Sequence, residues 1–98
     1  MSERTTKVSR EQIQIDWAER GYSCQLWVES PGTVLNDFVH DTEELILLLD
    51  GTLVVEMDGR VVRMRPGDEL LIPAGMRHTV RNLTESTTRW LYGYRQTS

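Results

Sequence analysis

His40 and His78 are the two imidazoles of the chain, and acids follow the first at once: Asp41, Glu43 and Glu44. Two imidazoles and one carboxylate form a common donor set for iron, manganese, nickel or zinc, with positions left open for water or substrate. On one straight strand His40 and Glu44 would share a face but stand roughly 13 Å apart. Donors about 2 Å from a common metal must be much closer than that. Asp41-Thr42 therefore has to bend the chain if both are to reach one ion. His78 follows Pro73-Ala74-Gly75 and would arrive from a different strand. No further general acid or base stands out.

The elements that must bring these residues together read as short strands. Tyr22 to Val28 is β-rich and ends at Pro31-Gly32, a turn signal. Thr33 to His40 and Glu44 to Asp50 follow. Leu53 to Met57 and Arg60 to Met64 flank Asp58-Gly59, a strong signal for a two-residue hairpin. Pro66-Gly67-Asp68 turns the chain before Leu70 to Ile72, and Arg77 to Asn82 and Thr87 to Tyr94 complete the pattern. Eight or nine short strands at near-regular spacing predict a single all-β domain, a sandwich or barrel whose closure removes exposed edges. Residues 1–8 read as a loose polar tail ahead of a domain over 9–98. Between them, Ser9-Arg10-Glu11-Gln12 could open a short helix, whereas the alternation of Ile13, Ile15 and Trp17 favours a strand. Sequence alone leaves both open.

The spacing of the candidate residues is itself recognisable. Gly67, five residues, Pro73, one, Gly75, two, His78, three and Asn82 resemble the second motif of the cupin superfamily at all five fixed positions. Gly32, five residues, Phe38, one, His40, three, Glu44, six and Gly51 resemble the first motif at every position but one. The family normally has a histidine where this chain has Phe38. The motifs cover residues 32–51 and 67–82.

That resemblance implies a cupin β-barrel of two antiparallel sheets, with jelly-roll-like topology. In metal-binding members, two histidines and a glutamate of motif one join a histidine of motif two inside the barrel. Carried over, three positions are filled by His40, Glu44 and His78, and the fourth is apolar Phe38. Asp37 and Asp41 have the wrong parity to replace it. A carboxylate buried without a partner is costly, so keeping all three polar residues favours a divalent transition metal. The alternative is a hydrogen-bonded cluster of the same side chains around water. Asn82 and the motif glycines, with Pro73, suit turns and barrel geometry rather than chemistry.

Pocket lining can be read from strand alternation. Phe38 would shape the pocket. Trp90, Tyr92 and Tyr94 share one strand face and are candidates for its mouth, against the plainer reading of core. Cys24 shares a face with Tyr22 and Leu26 and is a candidate for the cavity, against that of a small buried thiol. If Glu44, Ile46 and Leu48 point inward, Leu45, Leu47 and Leu49 point outward and need a cover. Ile13, Ile15 and Trp17 could supply it within the chain, as could a second subunit; small cupins are commonly dimers, so a homodimer is expected.

Charge and composition bound the function. The formal net charge of −4 is 0 over residues 1–20, −8 over 21–59, which hold no lysine or arginine, and +4 over 60–98. The two opposed segments would pair if the fold sets them side by side, with Arg77 and Arg81 pointing out of the barrel towards acids. An acidic chain without a concentrated basic face argues against a duplex nucleic-acid binder. The longest apolar run, Leu45 to Leu49, is too short for a membrane span. One cysteine and no signal-peptide pattern fit a cytoplasmic protein. The resulting expectation is a cupin that binds a transition metal and binds or acts on a small organic molecule, as a metal-dependent dioxygenase- or isomerase-like enzyme if it is one at all. A metal-free module that binds or senses a small ligand is the alternative.

Overall fold

The computed structural model describes residues 9–82 and 84–96; the expected tail over 1–8 and the side chain of Asp37 lie outside that description. The first element is a helix, α1 (Arg10–Glu19). Ser9 caps it by accepting from the Gln12 amide at 3.3 Å, and Arg20 pairs with Asp16 one turn back at 3.0 Å. Gly21, at φ +91°, ends it. Its amide bonds to the Ala18 carbonyl and the Tyr22 amide to that of Trp17, a Schellman closure. Helical spacing puts Ile13 and Trp17 on one face and leaves Ile15 54% exposed on another, so the apparent alternation is incidental.

Eight strands follow: β1 (Gln25–Glu29), β2 (Val34–Phe38), β3 (Glu44–Asp50), β4 (Leu53–Met57), β5 (Arg60–Met64), β6 (Glu69–Ile72), β7 (His78–Arg81) and β8 (Thr88–Tyr94). They form two antiparallel four-stranded sheets, ordered β1-β8-β3-β6 and β2-β7-β4-β5. The β4–β5 hairpin turns through Asp58 and Gly59, both at positive φ as a type I′ turn requires. Between the sheets, Ile46, Leu48, Leu53, Val55, Met64, Ile72 and Val80 form the main core. Glu44 on β3 and Tyr94 on β8 are direct partners and face the same interior.

A second apolar cluster lies on the outer face of the first sheet. Leu45, Leu47 and Leu91 pack there against Trp17 and Tyr22, with Ile13 and Leu49 at the margin. The outward leucines thus find their cover in α1 of the same chain. The helix is tied down at its far end, where Trp17 Nε1 and both terminal nitrogens of Arg20 donate to Glu69 on β6.

The opposed charges do meet. Arg81 pairs with Glu56 at 2.9 Å, Arg89 with Asp50 at 2.8 Å and Arg95 with Glu43 at 3.5 Å, each joining the acidic middle of the chain to its arginine-rich end. Arg77 is exposed. No helix among the described residues is long and apolar enough to cross a membrane.

Candidate metal centre

His40 sits in the connection that carries the chain from β2 in one sheet to β3 in the other. The bend at Asp41-Thr42 folds it back over Glu44, the first residue of β3. Its backbone is held there by the Gly75 amide, which donates to the His40 carbonyl at 2.8 Å. His78 opens β7 and pairs with Phe38 across the sheet, next to an irregularity in β2 between Leu35 and Phe38. That register shift turns both Leu35 and Phe38 towards the interior, although their spacing is odd.

The two imidazoles converge on one carboxylate oxygen. His40 Nε2 lies 3.5 Å and His78 Nε2 3.4 Å from Glu44 Oε1, and the ligating atoms of the three residues lie within 4.8 Å of one another. His78 and Glu44 are buried, His40 half-buried. His78 Nδ1 is 3.1 Å from the Met76 carbonyl, which can only accept, so that nitrogen carries the hydrogen. In the neutral ring Nε2 then turns a lone pair towards Glu44. Oε1 of Glu44 is buried and has no hydrogen-bond partner. Acceptors facing acceptors at this depth call for something electropositive between them, a proton or a cation. Donors about 2.1 Å from one metal stand roughly 3–3.5 Å apart; the His–Glu separations match, and the donor set fits a divalent transition ion.

Neighbours tune the group. Burial works against a charged His78 ring, but the Glu44 carboxylate beside it and the Met76 carbonyl outweigh this and raise its pKa above that of an ordinary histidine. Burial, then the nearby Glu44 and Tyr92 charges, pushes the Tyr94 phenol up to about 12, so it keeps its proton. Its hydroxyl is 3.4 Å from His40 Nε2, and the two rings meet edge to face. The Phe38 ring stacks on His40 and tilts over His78, both at 5.9 Å.

Beside the cluster opens a cavity of about 240 Å³. Phe38, Trp90, Tyr92 and Tyr94 line it. Cys24, a candidate for it, does not; it packs as a small thiol against the cluster formed by Trp17, Tyr22 and Leu45, where burial raises its pKa. The phase of β1 is the reason. Gln25 and Trp27 pair with Tyr92 and Trp90 and face inward, leaving Leu26 and Val28 outward. The sequence reading missed Trp27 because apolar residues occupy both faces of that strand. Its one signal was that aromatic cross-strand pairs are favourable, which makes Trp27 a fitting partner for Trp90.

A family model for the cupin domain matches residues 25–94. The chain belongs to the cupin family. Among curated proteins, this cupin is 31% identical over 68 residues to the polyketide synthase CurC of Streptomyces cyaneus. The match takes in 68% of this chain but only 44% of the relative, so the cupin spans less than half of that protein's length. Among solved structures, a cupin superfamily protein from Desulfitobacterium hafniense aligns over 78% of this chain and 68% of its own, with TM-score 0.70 at 20% identity. A cupin 2 conserved barrel domain protein from Salinispora arenicola covers 99% of this chain and 71% of its own, also with TM-score 0.70 at 20% identity. The cupin domain of Schizosaccharomyces pombe Cnp3 gives 0.72 at 15% identity over 81% and 58%. At such identities the likeness shows the fold alone.

Proposed function

We propose that this cupin holds a divalent transition metal on His40, Glu44 and His78 and uses it to bind, and to act on, a small organic molecule in the adjoining cavity. The observation that carries this reading is the buried Glu44 Oε1, unpartnered and approached by Nε2 of both histidines. A bound iron, manganese, nickel or zinc ion would supply Lewis acidity or a site for oxygen chemistry. The chain's own residues do the rest. The Met76 carbonyl orients the His78 ring. Tyr94, protonated at neutral pH, can donate to an oxygen of the ligand. Trp27, Trp90 and Tyr92 wall the cavity beside the cluster and offer aromatic surface to a ligand there. Kinship with a protein named a polyketide synthase makes polyketide-type molecules the first ligands to try.

Elemental analysis of the untagged protein beside Glu44→Gln and His78→Ala tests the site. The expected result is near-stoichiometric metal in the parent and strong loss in both variants. Equal trace metal in all three overturns the site, and favours a metal-free ligand-binding module, for which Phe38 in place of a fourth donor already speaks. We infer a cytoplasmic setting from the single cysteine. A homodimer would find apolar contact on the outer face of β1, where Leu26 and Val28 are exposed; light scattering distinguishes one copy from two.

A further inference from the structure

Resting on the reading of this cavity as the ligand site, we propose that its ligand is an uncharged planar ring system with one oxygen directed at the His40–Glu44–His78 end, and that Trp27 determines which rings are admitted. The cavity is chemically lopsided. Among the described residues its lining includes no lysine or arginine, and its one acid is Glu44, inside the cluster itself. The arginines seen in ion pairs, at positions 20, 81, 89 and 95, are on the outside of the barrel and committed to Glu69, Glu56, Asp50 and Glu43. A carboxylate or phosphate remote from the cluster would therefore lose its water against apolar walls with no counter-charge. A cationic ligand would meet aromatic faces, which attract it, but also the positive charge that a divalent ion leaves after one carboxylate.

The walls suit a flat ring. Trp27 and Trp90 lie nearly parallel, 23° apart with centroids at 6.1 Å, and Tyr92 meets Trp27 edge to face at 5.8 Å. Leu35, Ile46 and Val80 supply aliphatic surface, and the Gln25 amide and the two tyrosine hydroxyls add polar groups beyond the cluster. A cavity of about 240 Å³ has room for a fused pair of rings. Trp90 is buried, whereas Trp27 stands at the edge of its sheet and is 37% exposed. The Trp27 indole is held by Nε1 donating to Glu29 Oε1, two residues along the same face, at 2.7 Å. It is thus a pre-set wall between solvent and the buried aromatics, the position from which ring size and shape are selected.

Calorimetric titration of the protein with 2-naphthol, 2-naphthoate and choline, both zinc-loaded and chelator-treated, tests the proposal. The neutral ring is expected to bind both forms, tighter with zinc, while the anion binds the chelator-treated protein, and the cation the zinc-loaded protein, at least about tenfold more weakly than it does. Trp27→Ala should weaken 2-naphthol at least about tenfold while metal content and melting temperature hold, and Trp27→Phe should restore most of it. Tighter binding of naphthoate to the chelator-treated protein or of choline to the zinc-loaded one, no naphthol binding to either form, or naphthol affinity indifferent to Trp27→Ala overturns the proposal. Failure of the metal reading shows separately, as absent metal with naphthol binding intact in the chelator-treated protein.

Discussion

Phe38 stands where the family's first motif has a histidine, and its ring lies against both histidines that remain. An apolar ring there supplies no donor, so a metal held by the other three residues would keep further positions for water or substrate. Phe38→His should therefore raise metal affinity about tenfold or more by adding a fourth donor, read by competition with a chromophoric chelator. Unchanged affinity would mean that position 38 does not face the open side. Glu44 makes the complementary case. Its Oε1 is an unsatisfied buried atom in the bare protein, so Glu44→Gln should match or exceed the parent in metal-free melting temperature while losing the rise that added zinc produces. A parent that gains nothing from zinc would contradict the assignment.

At the scale of elements, the position of α1 depends on one close approach. Gly93 on β8 leaves room for Ser23 and Trp17; a Cβ there would collide with the Ser23 carbonyl and sit 3.0 Å from the Trp17 ring. Gly93→Ala should cost about 1–3 kcal/mol and lower the melting temperature by roughly 10 °C, seen by differential scanning calorimetry. A shift under a couple of degrees would mean the helix rides away from the sheet at no cost. Asn82 plays a similar part at the far end of the barrel: its amide reaches the Glu29, Ser30 and Ser86 carbonyls, and its oxygen accepts from Thr84. This buried residue of motif two thus serves loop geometry, as its spacing from His78 suggested.

For the whole molecule, the cross-segment ion pairs explain how 0, −8 and +4 coexist in one small domain. Exposed pairs of this kind contribute roughly 0–1 kcal/mol each, so they relieve repulsion more than they hold the barrel shut. Glu69 is better placed, since it joins helix to sheet through a bidentate Arg20 contact and Trp17. The Arg20 bonds, and then that from Trp17, hold its pKa below the usual carboxylate value although burial opposes them. A group depressed on folding stabilises above its unfolded pKa, about 4.3 for glutamate, and ceases to as pH falls through the lower folded value. Glu69→Gln should therefore melt a few degrees below the parent at pH 7 and converge with it in strong acid. A gap constant with pH would show that charge plays no part in the contact.

The two motifs, read from glycine, proline and histidine spacing, were sufficient for the family, the two-sheet barrel and the convergence of His40, Glu44 and His78. Those features depend on turns and strand parity, which short stretches of chain encode locally. Three matters waited on the tertiary structure. Whether residues 10–19 coil or extend was decided by the outer leucines of β3, which the caps at Ser9 and Gly21 allow α1 to cover. The phase of β1, with apolar residues on both faces, was decided by pairing with Trp90 and Tyr92, which put Trp27 into the cavity and Cys24 beneath the helix. The unpartnered oxygen of Glu44 appears only when the His40–Glu44 bend and the start of β7, far apart in the chain, fix which groups reach it. Sequence determined which groups could meet; packing between elements far apart in the chain decided which faces they turned to one another.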